Sequence, residues 1–131
     1  MDIEYINLED DDTFFTLFEK VSKVHEKLFP DATLQSQCDK FDEEYEEFKQ
    51  SKGIDICMEY ADCFIVAAGI YRFNKGLGDF IGKSLVAALD KNTTLRDSLA
   101  MAVVVKMNRN IDRVWNNKDG FYKHVEKENM N

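Results

Sequence analysis

Two pairs of acidic residues, Glu44/Glu47 and Glu59/Asp62, are each spaced i, i+3 within KFDEEYEEFKQSKGIDICMEYAD, the stretch from Lys40 to Asp62. Residues three apart share a helix face, and the polar turn Ser51-Lys52-Gly53 between the pairs lets two helices fold back on each other. Four carboxylates then converge on one point, and a hard divalent cation takes oxygen ligands of that kind. A second set, Lys106, Asn110 and Arg113, recurs at i, i+4, i+7 later in the chain. It forms a row of donors suited to phosphate oxygens, with Arg making bidentate contacts and Lys acting as a point charge. Basic residues near a helix C-terminus also serve as dipole partners, so the row gains its meaning beside the acidic cluster.

The bland account of DEEYEE is a solvated acidic face. That suits Asp42 and Glu46, which point away from the stripe of Phe41, Tyr45 and Phe48, but not Glu44, which lies beside the stripe with Glu47 one step further round. Glu59 and Asp62 are more anomalous, because they share a sector with Cys63, Val66, Ile70 and Phe73 on a segment apolar nearly all round. Burying an unpaired carboxylate costs several kcal/mol, and two like charges about 4 Å apart repel by roughly 4 kcal/mol at an effective dielectric near 20. A domain of this size is stable by only about 5 to 15 kcal/mol. Converging carboxylates therefore require a counter-charge, either a metal ion or neighbouring Lys and Arg side chains.

The elements that position these residues are expected to be helices. One proline and six glycines in 131 residues favour long uninterrupted helices, 44% hydrophobic residues supply a core, and an all-α single domain follows. Asp11 or Asp12 is expected to cap a first helix carrying Phe14, Phe15, Leu17, Phe18, Val21, Val24, His25 and Leu28 inward, ended by Pro30. Asp31 or Thr33 starts a second, from about Thr33 to Gln50. The third runs from Ile54 to Asn74, with NKGLGD as a Gly-containing exit, and its all-round apolarity marks the centre of a core or a subunit interface. A fourth, Asp79 to Leu89, turns Phe80, Ile81, Leu85, Val86 and Leu89 inward and Lys83, Asp90 and Lys91 outward. Asn92, Thr93 and Thr94 offer caps for a last helix from about Leu95 to Asn116, and residues 118–131 read as a polar tail that frays, with Phe121 and Tyr122 available to dock it.

A formal charge of −8 speaks against nucleic acid polymers and against anionic membrane surfaces. It leaves room for a phosphate-bearing small molecule, since a bound cation reverses the local field. Cys38, Cys57 and Cys63 fit no zinc spacing and read as buried reduced thiols. Six acids in residues 1–12 are unlike a signal peptide, and the longest uncharged apolar run, Cys63 to Tyr71, is too short for a bilayer span, so a cytoplasmic protein is expected. His25 and His124 are the only histidines, and neither follows a Glu at i, i+3 as in di-iron bundles.

Lys40-Phe41-Asp42-Glu43-Glu44-Tyr45-Glu46-Glu47-Phe48 followed by Glu59-Tyr60-Ala61-Asp62 resembles the EExxE…ExxD signature of the MazG-like all-α nucleoside triphosphate pyrophosphohydrolases. Lys106 to Arg113 is similar to the K-x-x-x-N-x-x-R row of many members, and the two blocks with the helices between them cover most of the chain. The resemblance implies an oligomeric bundle of four to five helices, a homodimer or homotetramer, cleaving a triphosphate between the α and β phosphates to give a monophosphate and pyrophosphate. It implies Mg²⁺, with Mn²⁺ as the alternative ion, on Glu44, Glu47, Glu59 and Asp62. Glu43 or Glu47 would be the general base, the choice being open, and Lys106, Asn110 and Arg113 would grip phosphates. Phe29-Pro30-Asp31-Ala32-Thr33 is similar to the branch acting on dATP and dGTP. Members acting on dUTP or dCTP place aromatic and amide groups around the base, and Phe15, Phe18, Gln35 and Gln37 are available here. The rival expectations are a non-catalytic acidic helical interaction module and a ligand-free bundle in which Lys or Arg neutralises Glu59 and Asp62.

Overall fold

Helix α3 (Asp55–Phe73) carries ten buried residues, from Tyr60 and Ala61 to the unbroken run Cys63 to Ile70, and the fold is built around it in this computed structural model. The structure describes residues 3–88 and 93–125. Helices α1 (Phe14–Leu28), α2 (Leu34–Gln50), α4 (Lys75–Ala87) and α5 (Thr93–Asp112) all pack against α3. A helix apolar on every side thus buries its sides within one chain. Phe64 lies at its centre, with Phe14 and Phe18 edge-on at 5.8 and 5.3 Å, and Leu17, Val21, Leu99, Val103 and Met107 are fully enclosed around it.

The caps explain where the helices begin. Thr13 starts α1 by a reciprocal pair of bonds with Thr16, and Thr33 starts α2 the same way with Ser36. Neither Asp11 nor Asp12 caps α1: Asp12 instead accepts from Lys20 Nζ at 2.6 Å and from the Glu9 N–H at 2.8 Å. Those bonds hold its carboxyl down at about 2, the Lys20 contact contributing most. The chain before α1 is tied to α5, where the Asn108 carboxamide takes the Ile6 N–H at 2.7 Å and donates to the Ile6 carbonyl at 3.0 Å.

Several boundaries and faces differ from expectation. All of NKGLGD but its first residue is helical, because Asn74 accepts from the Leu77 N–H at 3.0 Å and caps α4 directly after α3. Gly78 is needed there, since a Cβ would run into the Tyr71 backbone. Helix α4 packs through Gly78, Gly82 and Leu85, which turns Phe80 outward (70% exposed), and Phe15 on α1 (51%) and Tyr45 on α2 (41%) are exposed as well. The stripe of Phe41, Tyr45 and Phe48 is therefore a half-open stack rather than a buried seam. Leu89, Asp90, Lys91 and Asn92 lie outside the described residues. Cys63 is buried as expected, whereas Cys38 and Cys57 are only half-buried.

The largest departure follows α5, which ends at Asp112 rather than Asn116. Strands β1 (Trp115–Lys118) and β2 (Phe121–His124) form an antiparallel hairpin where the first part of the frayed tail was expected, with Trp115 opposite His124 and Lys118 opposite Phe121; residues 126–131 lie outside the described residues. Asp119 and Gly120 make the two-residue turn, both at positive φ (54° and 85°), the twist that tight hairpins require. The chain is therefore mostly helical with one small sheet, and no described helix is long and apolar enough to cross a membrane.

Candidate functional site

The acids meet because α2 and α3 reverse across a tight turn in which Gly53 takes a φ of 64°, a left-handed value that side chains disfavour. One carboxylate oxygen from each of Glu44, Glu59 and Asp62 lies within 4.8 Å of the other two. Glu47 stands at the exposed edge of this trio and raises the pKa of all three through its charge. Glu43, Asp42 and Glu46 are exposed on α2.

Burial pushes the Glu44 carboxyl up to about 7, helped by the charges of Asp62, Glu47 and Glu59 and opposed by Lys40 at 3.7 Å. Glu59 is raised by burial, then by Asp62 and Glu47. Asp62 is raised by burial against the pull of Lys106, whose Nζ lies 3.2 Å from Asp62 Oδ2. Counter-charges thus exist for Glu44 and Asp62, while Glu59 has no ion pair among the described residues. Glu44 Oε2 and Glu59 Oε2 are enclosed and have no hydrogen-bond partner. Orphaned carboxylate oxygens in a cluster of like charge fit a divalent cation, which would satisfy both and restore the ionised forms.

Glu44, Glu47 and Asp62 line a cavity of about 240 Å³ together with Lys106, Asn110 and Arg113. Lys106 and Asn110 on α5, and Arg113 just past its end, therefore share one cavity with the acids. Asn110 is 7% exposed, and its Oδ1 accepts from Arg113 Nη1 at 3.2 Å. Carboxylate oxygens and cationic or amide nitrogens thus line a single space.

The opposite wall is the part that spacing arguments miss. Trp115 and Tyr122 from the hairpin, Phe29 from the end of α1, and the buried pair His25 and Gln37 complete the cavity. Phe29 meets Trp115 edge-on at 4.8 Å and Tyr122 at 4.9 Å. Trp115 Nε1–H donates to the Asn110 carbonyl at 2.9 Å, which couples the aromatic wall to the donor row. The hairpin is clipped to the α1–α2 turn: the Asp31 N–H donates to Tyr122 Oη at 3.2 Å, and Asn117 Nδ2 donates to Asp31 Oδ2 at 3.0 Å. A Cβ at Gly120 would lie 2.7 Å from the Asp31 carbonyl, so the turn can approach this closely only as glycine. The signal available in the sequence was Asp119-Gly120 flanked by aromatic residues. Of the four residues considered for a base, only Gln37 lines this cavity. Phe15 and Phe18 line an apolar pocket between α1 and α4, and exposed Gln35 bonds Asp39 at 2.9 Å.

No protein-family model matches the chain, nor does any curated protein or solved structure with which it was compared.

Proposed function

We propose that the chain is a Mg²⁺-dependent nucleoside triphosphate pyrophosphohydrolase of the MazG-like kind, with Mn²⁺ as a substitute ion, releasing pyrophosphate and a monophosphate. The observation that carries this reading is the pair of orphaned oxygens, Glu44 Oε2 and Glu59 Oε2, in a carboxylate trio of which Glu44 and Asp62 line one cavity with Lys106, Asn110 and Arg113. Glu44, Glu59 and Asp62 would hold the ion, with Glu47 joining from the edge. Bound there, the ion supplies charge neutralisation of the triphosphate and a lowered pKa for water. Lys106 and Arg113 bind phosphate oxygens and stabilise the charge that develops on the departing pyrophosphate, while Asn110 orients Arg113. Glu47 lines the cavity and Glu43 does not, which favours Glu47 as the group that takes the proton of the attacking water. Exposed Phe80, Met101, Ile54 and Ile56 support assembly into a homodimer or homotetramer.

The test is incubation with a panel of ribo- and deoxynucleoside triphosphates plus Mg²⁺. Pyrophosphate and monophosphate are expected, with purine deoxynucleotides among the substrates; orthophosphate alone, or no turnover with any base, overturns the reading. A second reading, an acidic interaction module, draws on the exposed Asp42, Glu43 and Glu46. It requires indifference to Mg²⁺ and Mn²⁺ in thermal unfolding, whereas an ion bound to the native state raises apparent stability.

A further inference from the structure

Three helices each contribute one polar side chain to a relay at the aromatic end of the cavity. Arg72 of α3 is an obligate donor. Its Nη1 donates to the Phe29 carbonyl at 2.8 Å and the His25 carbonyl at 3.3 Å, and lies 3.1 Å from His25 Nδ1. His25 Nδ1 must therefore accept. The ring is neutral, since burial, reinforced by the charge of Arg72, holds its pKa down at about 3. A neutral imidazole accepting at Nδ1 carries its proton on Nε2, which lies 2.9 Å from Gln37 Oε1. The carboxamide of Gln37 is thereby oriented, with its oxygen toward His25 and its NH₂ turned away.

His25 is 2% and Gln37 5% exposed, and both line the cavity. Among the described residues the Gln37 NH₂ has no protein partner, and it is not one of the enclosed orphan atoms. It is an oriented donor at the cavity surface. Gly69 makes the arrangement possible: a Cβ there would lie 2.5 Å from His25 Nε2 and 2.7 Å from Gln37 Oε1, so the pair seats directly on the α3 backbone. The same cavity is lined by Phe29, whose ring meets His25 at 4.9 Å, and by Trp115 and Tyr122, which pack against Phe29. A lining of aromatic rings with an oriented amide donor suits a planar ligand with a hydrogen-bonding edge.

We propose that this end of the cavity is a nucleobase subsite in which the Gln37 carboxamide NH₂ reads a carbonyl oxygen, selecting oxo bases (guanine, hypoxanthine, uracil, thymine) over amino bases (adenine, cytosine). The proposal rests on the nucleotide reading of the carboxylate half. An amino group at the same point would bring two donors face to face and leave both unpaired.

Binding separates this subsite from hydrolysis. Trp115 is the sole tryptophan of the chain and part of the aromatic wall, so its fluorescence reports a base entering there. The full-length chain is titrated with inosine, guanosine and adenosine 5′-monophosphates. Inosine and guanosine monophosphates are expected to quench Trp115 and to bind about tenfold more tightly than adenosine monophosphate. Gln37→Glu keeps an acceptor for His25 Nε2–H and replaces the donor by a second acceptor, so the inosine-to-adenosine ratio is expected to invert. The added charge acts equally on all three ligands and cancels in the ratio. Equal affinities in the unmodified protein, no quenching by any of the three, or an unchanged ratio in Gln37→Glu overturns the proposal. If that variant does not fold, the inosine and adenosine comparison on the unmodified protein decides alone. Pyrophosphate release without base discrimination overturns the subsite only. Discrimination without pyrophosphate release from any triphosphate overturns the hydrolase only.

Discussion

Replacing Glu59 by Gln keeps the shape of the side chain and removes one charge from a trio whose oxygens all lie within 4.8 Å. Full charges at 4.8 Å repel by about 3.5 kcal/mol per pair at an effective dielectric near 20. Two facts reduce that figure. Glu44, with a pKa of about 7, is about half protonated at neutral pH, and Glu59 is partly open to water although one of its oxygens is enclosed. A gain of about 1–2 kcal/mol in the metal-free protein remains, a rise in Tm of about 3–6 °C for a chain of this length. An ion present at a hundred times its Kd stabilises the parent protein by about 2.7 kcal/mol, and the variant forfeits most of this along with about 100-fold or more of its turnover. The two stability orders therefore cross: Glu59→Gln melts higher in EDTA, and the parent melts higher in millimolar MgCl₂. Thermal unfolding followed by circular dichroism under both conditions reads the crossing. A variant no more stable than the parent in EDTA, or one that keeps the full rise with Mg²⁺, refutes the reasoning.

The pKa of Glu44 is raised in the fold from an ordinary value of 4.5 to about 7, so its contribution to stability is complete below pH 4.5 and lost as pH rises through 7. After allowance for partial exposure, the metal-free protein should lose about 2 kcal/mol across that window in denaturant titrations, and Mg²⁺ should remove the loss. Asp12 acts in the opposite sense: its contribution is present above an ordinary 3.8 and lost as pH falls toward 2, which Asp12→Asn should abolish in acid unfolding curves. Lys106→Met leaves Asp62 without its partner and should cost about 1–3 kcal/mol without metal, together with a loss of turnover in the nucleotide panel. Gly78→Ala forces α4 away from the Tyr71 backbone and should cost about 3 kcal/mol in chemical denaturation, with a neutral result refuting the close approach.

The acidic half of the cavity was legible because its information is local. Glu44, Glu59 and Asp62 sit on two consecutive helices joined by a short turn, so periodicity alone predicts that they meet. The donor row was legible for the same reason, Lys106 and Asn110 lying on α5 and Arg113 immediately after its last residue. The aromatic half was not, because it depends on a hairpin whose strands WNNK and FYKH are short and polar and show no clear alternation. Asp119-Gly120 was the local clue, outweighed by the helical pattern running into it from α5. The start of α4 was hidden by a glycine doing the work of close packing in a sequence that otherwise reads as a turn. Gln37 was named only as an available amide; its orientation depends on Arg72, 35 positions further along, through a histidine from a third helix.

The clip between the hairpin and the α1–α2 turn joins residues 86 and 91 positions apart, whereas the carboxylate trio is assembled by neighbouring helices. Contacts of long sequence separation bear a greater loop-closure entropy and form later. The two halves of the cavity should therefore form at different times during folding, the carboxylate trio when α2 and α3 pair, the aromatic half only when the segment after α5 has found Asp31. The same ordering governs partial opening of the finished molecule. A two-stranded hairpin held by a few long-range bonds is the first unit to detach, so its amides should exchange with solvent ahead of those in α3. Detachment would widen the cavity from the aromatic side without disturbing the carboxylates, giving a bulky ligand a route in and out that leaves the charged half assembled.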